Sequence, residues 1–451
     1  MTRVEELAAF TVKASYESLS ELARQQLKVR VLDALGCALG AVEGEPIRMV
    51  KAQIEDFGDK GHCSLIRGGK TAPDRAAFYN SALVRYLDFN DGYLAKGETC
   101  HPSDNLGSVL AAVEYVNGSG QDFLTALAVA YQVQCRLSDV APVRAKGFDH
   151  TTQGSYAVAA GVSRGLRLNE TQTAHAIAIC GTAFNALRVT RTGALSHWKG
   201  LAYPNTAFGC THAAFLAMRG ITGPPEVFEG NKGFMEAIAG PFEIDWSRED
   251  LERVTRTIIK RYNAEIHSQS AIEGILELKQ ERGFTPREVE TIELDIFDVA
   301  YHIIGGGEEG DKTLVRTKEE ADHSLPYMLA VALLDGQVMP AQYRPERIQR
   351  EDVQGLLRRV KVRPSREYSQ RFPVVMPCQI TVRLLNGRAF TKEKVDYEGF
   401  LTHPMSWERA VEKFKRLSDT SIDSKLQRKI IDTVFDLDRV PIGDLTALLR
   451  G

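Results

Sequence analysis

The segment TIELDIFDVAYHII, residues 291–304, marks the point at which the sequence changes from a helical to a mixed pattern. Apolar residues alternate with acidic residues over 292–296, and a period of two predicts a β-strand with one buried face. Similar patterns predict strands within 360–364 and 378–395. In the latter range, Asn386-Gly387 predicts a type I′ hairpin turn.

The chain that precedes this segment has a helical pattern almost throughout. Residues 20–42 repeat leucine and valine at four-residue spacing, which places them on one helix face. Asn169 is a predicted N-cap of another helix, and Gln172 three positions later completes a capping box. Several of these helices are rich in alanine and glycine, which predicts close packing of their axes.

Helical patterns also lie between the predicted strands, and the chain is helical again after Pro404. This order predicts a mainly α fold with an α+β second domain. The C-terminal helices are expected to rejoin the first domain, which would place the active site in a cleft between the two domains. The predicted boundaries are 1–257 for the first part of the helical domain, 258–394 for the α+β lid domain and 395–451 for the C-terminal helices.

Composition and charge exclude several classes of function. The 451 residues carry a net charge of −3 with both signs interspersed, so no basic surface recruits nucleic acid or an anionic membrane. The apolar stretches are too short to span a bilayer, and the N-terminus resembles neither a signal nor a transit peptide. A cytoplasmic protein that acts on a small molecule is therefore expected.

The seven cysteines are scattered, and no two stand at C-x-x-C spacing. Such spacing indicates reduced thiols and argues against an iron–sulfur cluster held by cysteines. No metal and no cofactor are expected.

The connector DFNDGYLAKGETCHPSDN, residues 88–105, carries many ionisable groups between two apolar runs. His101 has an ordinary pKa near neutrality and suits proton transfer, while Asp91 is either a base or a residue that orients His101. A solvated loop is the alternative, with Ser103 or Asp104 capping the next helix.

Basic residues are concentrated in NALRVTRTGALSHWKG, residues 185–200, where Arg188, Arg191 and Lys199 are candidates for binding several carboxylates. A solvated helix end is the alternative. Two further segments mix histidine with charged residues: KGFDHTTQG, which contains His150, and IIKRYNAEIHSQ, which contains Lys260, Glu265 and His267.

Five motifs together resemble those of the MmgE/PrpD family. They are DFND…HPSDNLGS, LRVTRTGALSHWKG, AFLAMRGITGPPEVFEGNKGF, YNAEIHSQSAIE and ADHSLPYMLAVALLDG. That family includes dehydratases of 2-methylcitrate, decarboxylases of cis-aconitate and epimerases of iminodisuccinate. The resemblance implies a large helical domain, a smaller α+β lid domain, a homodimer and no iron–sulfur cluster.

The resemblance also implies roles for individual residues. The expected catalytic residues are Asp91, His101, His150, Lys199, Lys260 and His267. The expected substrate-binding residues are Arg188, Arg191, Asn105, Glu265 and Tyr301. Ala95 stands where the decarboxylases carry a threonine, and Glu265 stands where they carry a catalytic histidine, so the chain is more similar to the dehydratases.

These observations predict a hydro-lyase that removes water from 2-methylcitrate or a related tricarboxylate such as citrate. Elimination next to a carboxylate needs cations, a positioned base and an acid for the departing hydroxyl, and the candidate residues include all three. The alternatives are an epimerase, racemase or decarboxylase of a small di- or tricarboxylate, and a catalytically silent carboxylate-binding protein.

Overall fold

The computed structural model describes residues 1–58, 61–193, 195–308 and 310–450. The chain forms two compact units. The first unit comprises Met1–Arg191, His197–Thr257 and Ser406–Gly451, and the second comprises Thr192–Ser196 and Ile258–Met405. The first unit is mainly helical and the second contains a mixed sheet with helices, which confirms the predicted fold class.

Helices make up most of the first unit. From the N-terminus they are α1 (Arg3–Lys13), α2 (Glu21–Gly40), α3 (Glu45–Phe57), α4 (Pro73–Tyr86), α5 (Leu106–Tyr115), α6 (Gly120–Val140), α7 (Thr151–Gly165), α8 (Glu170–Ala183) and α9 (Trp198–Met218). The predicted capping box of Asn169 and Gln172 is confirmed at the start of α8. A Cβ added at Gly161 of α7 would lie 2.9 Å from the Cβ of Ala130 in α6, so the small residue permits close packing of these helices.

Two short antiparallel hairpins interrupt the helices of the first unit. Strands β1 (Cys63–Ser64) and β2 (Lys70–Thr71) form the first hairpin. Strands β3 (Tyr93–Ala95) and β4 (Glu98–Cys100) form the second, with Tyr93 opposite Cys100. The second hairpin lies inside the charged connector of residues 88–105, which is therefore more regular than the sequence indicates.

The second unit is built around a four-stranded sheet. Its strands are β5 (Val289–Ile296), β6 (Val360–Pro364), β7 (Cys378–Leu384) and β8 (Ala389–Lys394), in the order β6-β5-β7-β8. Only the β5–β6 pair is parallel. The helices are α10 (Gln269–Arg282), α11 (Asp298–Ala300), α12 (Lys318–Ala321), α13 (Leu325–Asp335), α14 (Pro345–Ile348), α15 (Glu351–Leu357) and α16 (Arg366–Arg371). Helix α10 packs against β7 and β8, helix α13 packs against β6, and the apolar side chains of β5 are buried.

The turn between β7 and β8 differs from the predicted type I′ turn. A type I′ turn needs positive φ at both central residues, but Gly387 has φ of +83° and Asn386 does not have a positive φ. The Gly387 N–H donates to the Leu384 carbonyl at 2.9 Å, and the Leu384 N–H donates to the Arg388 carbonyl at 2.8 Å. These bonds indicate a longer turn with glycine in the left-handed position at its end.

The last part of the chain returns to the first unit as helices α17 (Trp407–Ser418), α18 (Ser424–Phe435) and α19 (Ile442–Arg450). Residues 395–405 belong to the second unit, whereas the predicted boundary follows residue 394, the end of β8. The reason is a set of main-chain hydrogen bonds: the Ile259 N–H donates to the Gly399 carbonyl at 2.9 Å, and the Gly399 N–H donates to the His403 carbonyl at 2.8 Å.

Among the described residues, no helix is both long enough and apolar enough to cross a membrane. All seven cysteines lie in the described part of the chain, where they are buried and form no disulfide.

Candidate active site

The β3–β4 hairpin brings Asp91 and His101 together, because these residues flank the two paired strands. The His101 Nδ1 atom lies 2.7 Å from the main-chain oxygen of Asp91. A carbonyl oxygen can only accept, so Nδ1 carries the hydrogen and Nε2 of the neutral ring carries the lone pair. The fold therefore selects the His101 tautomer in which Nε2 is basic.

The Asp91 carboxylate is fully buried and accepts hydrogen bonds at both oxygens. The Tyr131 hydroxyl donates at 2.7 Å and the Ser103 N–H donates at 3.0 Å. Burial raises the pKa of Asp91, and these two hydrogen bonds only partly offset it. Asp91 therefore orients His101 through its main-chain oxygen, while its side chain anchors the connector to α6.

A buried ionic network lies beside this pair. Arg85 Nη1 lies 2.6 Å from Asp88, and Arg85 Nε lies 3.7 Å from Asp104. The Asn90 amide donates to Asp104 at 2.9 Å. Burial raises the pKa of Asp104 to about 7, although Arg85 opposes it. Lys199 Nζ lies 3.3 Å from the second oxygen of Asp88.

Burial decides between the two interpretations of the connector. Asp88, Asp91, Glu98, His101 and Asp104 are all buried, so a solvated loop is excluded. Burying so many ionisable groups has a free-energy cost unless each is paired or hydrogen-bonded. The contacts above provide such partners, and the Glu98 carboxylate accepts from the Val143 N–H at 3.0 Å. Such density of buried charge is typical of functional sites.

The C-terminal helix α17 also holds the connector. Lys413 Nζ lies 2.7 Å from Asp33 of α2, donates to the Phe89 carbonyl at 2.8 Å and lies 3.8 Å from the centre of the Phe89 ring. Both charged side chains are buried. One ammonium group thus fixes the main chain two residues before Asp91.

Replacing Lys413 by methionine is expected to lower the free energy of unfolding by about 3–5 kcal/mol, because Asp33 would keep a buried charge without this partner. Urea denaturation followed by circular dichroism measures the change. Lys415→Met is the matched control, since Lys415 is exposed on the same helix, and it should leave stability nearly unchanged. Equal stabilities of the two variants would show that the Asp33–Lys413 pair does not hold this unit together.

His150 lies at the start of α7, next to Asp149. Its ring centre is 5.6 Å from that of His101 and 6.1 Å from that of Tyr203. Nδ1 lies 3.2 Å from Asp149, and Nε2 is buried without a hydrogen-bond partner among the described residues. Burial lowers the pKa of His150 to about 3, although Asp149 opposes it. His150 is therefore neutral near pH 7.

This shift predicts a pH dependence of stability. The unfolded chain binds a proton on His150 below about pH 6.5, whereas the folded chain binds it only below about pH 3. The contribution of His150 to the free energy of unfolding is therefore complete above about pH 6.5 and is lost as the pH falls. Between about pH 7.5 and about pH 5, the wild type should lose about 2 kcal/mol more than His150→Gln. Urea denaturation of both proteins at both pH values measures the difference, and parallel pH profiles would contradict the prediction.

Two of the predicted cations of the first unit, Arg188 and Arg191, lie near Asp149. Arg191 is buried, with Nε 2.7 Å from Asp149 Oδ2 and Nη1 donating to the Lys199 carbonyl at 3.1 Å. Although burial alone would raise it, Arg191 holds the pKa of Asp149 below its ordinary value, and Arg188 acts in the same direction. Arg188 is half-buried and lies in the same short turn as Arg191. Arg191 thus contacts both Asp149 and the main chain of Lys199, whose ammonium group lies beside Asp88.

Asn105 differs from its expected role as a substrate contact. Its amide nitrogen donates to the Pro102 carbonyl and to Gln134 Oε1, both at 2.8 Å, and its oxygen accepts from the Tyr203 hydroxyl at 2.9 Å. The side chain is fully buried. Asn105 therefore belongs to the scaffold beneath the connector, because both amide groups are bound by the protein.

A carboxylate–histidine pair precedes α10 in the second unit. Glu265 Oε1 lies 2.7 Å from His267 Nδ1, and Glu265 Oε2 accepts from the His267 N–H at 2.8 Å. Burial alone would raise the pKa of Glu265, but His267, His323 and Lys260 outweigh it and lower that pKa to about 2. The sequence suggested a substrate contact for Glu265, whereas both of its oxygens are engaged by His267.

The His267 ring lies in an aromatic environment. Its centre is 5.7 Å from that of Phe297 and 5.6 Å from that of Phe372. Nδ1 faces a carboxylate, whereas Nε2 is buried without a hydrogen-bond partner among the described residues. Lys260 is buried in the same unit, and Tyr301 is half-buried in a π-helical turn with His302 as its nearest ring.

Three buried residues that position the candidate site were not predicted from the sequence: Tyr131, Asp149 and Lys413. Asp149 immediately precedes His150, so the Asp-His dipeptide was a usable signal. Tyr131 and Lys413 lie on ordinary helices 40 and 324 residues from their partners in the connector, and no local pattern indicates them.

Comparison with known families covers most of the chain. Residues 5–247 match the MmgE/PrpD N-terminal domain, and residues 262–439 match the MmgE/PrpD C-terminal domain. The chain therefore belongs to the MmgE/PrpD family, which confirms the resemblance inferred from its motifs.

Individual relatives cover nearly the whole chain at low identity. The chain is 25% identical over 463 residues to 2-methylcitrate dehydratase of Salmonella typhi, covering 95% of this chain and 94% of the relative. It is 24% identical over 463 residues to 2-methylcitrate dehydratase of Escherichia coli (strain K12), with the same coverage. It is 26% identical over 456 residues to cis-aconitate decarboxylase of Mus musculus, covering 94% of this chain and 88% of the relative. The relatives thus include enzymes of two reaction types.

Proposed function

We propose that the protein is a hydro-lyase that eliminates water from 2-methylcitrate or a related tricarboxylate such as citrate. The observation that carries the proposal is the fixed tautomer of His101, whose Nδ1 faces the Asp91 carbonyl at 2.7 Å. It leaves Nε2 as the basic atom of the neutral ring, in the same unit as the buried cationic side chains of Arg191 and Lys199.

In this reaction His101 Nε2 removes a proton from the carbon next to a carboxylate. The electron pair of the C–H bond forms the double bond, and the C–O bond to the hydroxyl group breaks. Charge that builds on the carboxylate needs nearby cations. Arg188, Arg191 and Lys199 supply them in the first unit, and neutral His150 adds a hydrogen-bonding ring beside His101 without adding positive charge.

The departing hydroxyl must receive a proton to leave as water. We assign this proton to His267 of the second unit, since the Glu265 carboxylate at Nδ1 orients the ring. Lys260 contributes a buried positive charge in the same unit.

Two features favour dehydration over decarboxylation, the second reaction found among the relatives. Ala95 is buried in a cluster with Tyr93, Cys100 and Cys135, so the position offers no hydroxyl group. The second position is Glu265 and not a histidine, and its carboxylate makes two contacts with His267. Both positions depart from the pattern that the resemblance associates with the decarboxylases.

The test is incubation of the purified protein with 2-methylcitrate, citrate, cis-aconitate and iminodisuccinate. We expect an alkene product from a hydroxy acid, detected by ultraviolet absorbance and NMR, with unchanged rates after treatment with a metal chelator. If neither hydroxy acid yields an alkene, the proposal is wrong. Release of carbon dioxide from cis-aconitate would then indicate a decarboxylase, and epimerisation of iminodisuccinate would indicate an epimerase.

A further inference from the structure

The second unit contains another carboxylate–histidine pair, in the turn between α12 and α13. His323 Nδ1 lies 2.6 Å from Asp322 Oδ1. The Asp322 side chain is 1% exposed, whereas the His323 side chain is 12% exposed. The carboxylate orients the ring, and the partial exposure gives the ring contact with solvent.

Asp322 is itself held in place from several directions. Its second carboxylate oxygen lies 2.8 Å from Lys318 Nζ, and its N–H donates to the Lys318 carbonyl at 2.9 Å. The Asp322 carbonyl accepts from the Glu265 N–H at 3.2 Å. This last bond ties the Asp322–His323 pair to the main chain of the Glu265–His267 pair.

The two pairs also interact through their charges. His267, His323 and Lys260 each lie within Coulombic range of Glu265 and lower its pKa. His267 itself is 1% exposed and packs against the stacked rings of Phe297 and Phe372. It is therefore poorly placed to exchange protons directly with bulk water.

We propose that His323 is a proton-transfer residue that returns a proton from solvent to His267 after each turnover. This inference rests on the proposed function, in which His267 gives its proton to the departing hydroxyl and is left neutral. An N–H bond of a protonated buffer molecule, or an O–H bond of hydronium, breaks as an N–H bond forms on His323. That bond then breaks as the N–H bond on His267 re-forms, and no electrons are transferred.

The kinetic test compares His323→Ala with the wild type on 2-methylcitrate, at low buffer concentration and with added imidazole. We expect kcat to fall about tenfold at low buffer, while kcat/KM changes little, because proton return follows the chemical step. Imidazole should restore most of the lost kcat. His403→Ala is the matched control, since His403 is exposed in the same unit, and it should behave as the wild type.

A second measurement needs no substrate and separates failure of this inference from failure of the proposed function. NMR on protein labelled with ¹⁵N-histidine measures exchange of the His267 ring N–H with solvent, and His323→Ala should slow it about tenfold, in line with loss of a positioned proton carrier. The proposed role of His323 would be overturned by unchanged exchange of the His267 ring N–H. It would also be overturned by equal losses of kcat and kcat/KM that imidazole does not restore. If exchange is slowed but the protein is inactive on all hydroxy acids, proton transfer by His323 is supported and the proposed hydro-lyase function is rejected.

Discussion

Replacing His101 by glutamine is expected to lower kcat on the hydroxy acid about 10²–10⁴-fold, the usual contribution of a positioned acid or base. Glutamine can still donate to the Asp91 carbonyl, so the connector should keep its conformation. It cannot accept a proton near neutrality, so the loss should appear in kcat. Steady-state kinetics with circular dichroism as a folding check measures the effect.

The matched control is His212→Gln, because His212 is exposed in the same unit and interacts with Asp74 at 3.2 Å. It should leave kcat unchanged. Asp91→Asn should also be severe, since an amide nitrogen would face one of the two donors, Tyr131 and Ser103. If Asp91 acts by orienting His101, the double variant should be little worse than His101→Gln. Additive losses would show that Asp91 does not act through His101, and a His101→Gln enzyme with more than about a third of native kcat would remove His101 from the proton-transfer role.

Replacing Glu265 by glutamine should have an effect of similar size, about 10³–10⁴-fold in kcat, by analogy with carboxylates that fix a histidine tautomer. Both Glu265 oxygens accept hydrogen bonds from His267, one from Nδ1 and one from the main-chain N–H. Glutamine offers one acceptor and one donor group. If the amide oxygen faces Nδ1, the main-chain N–H of His267 loses its acceptor. If the amide nitrogen faces Nδ1, it donates to that atom and the ring hydrogen moves to Nε2.

Glu281→Gln is the control, because Glu281 lies on α10 in the same unit and pairs with Lys392 near its surface. It should retain native kcat. The ring tautomer of His267 is read independently from ¹⁵N chemical shifts of labelled protein. A Glu265→Gln enzyme with an unchanged tautomer and near-native kcat would show that this pair has no part in the reaction.

The sequence was sufficient for the fold class and for the location of the charged connector, because both depend on local patterns. The period of two at 292–296 and the helical spacing of 20–42 appear in the structure as β5 and α2. The charge density of residues 88–105 indicated function but left a solvated loop open. Burial decided that question, and burial depends on residues far away in the chain, among them Tyr131 and Lys413.

The roles of individual side chains were less accessible from the sequence. Asn105 and Glu265 were expected to contact the substrate, but the polar groups of both are engaged by neighbouring residues. A motif shows that a polar residue is present, whereas its hydrogen-bond partners depend on the packing of several helices. Asn386-Gly387 shows the same limit at smaller scale, since the dipeptide indicated a turn but not its type.

The return of α17 to the first unit sets an order of events during protein synthesis. Lys413 bonds to Phe89 across 324 positions of the chain, so the anchor of the connector is translated long after the connector itself. The second unit, apart from residues 192–196, is one continuous segment, whereas the first unit closes only when Ser406 and the residues beyond it have left the ribosome. Long-range closure of this kind is slow, and domains generally fold as they emerge. A nascent chain that stalls before α17 therefore holds a connector that lacks its Lys413 anchor, and the first unit is completed only after the second unit has been synthesised.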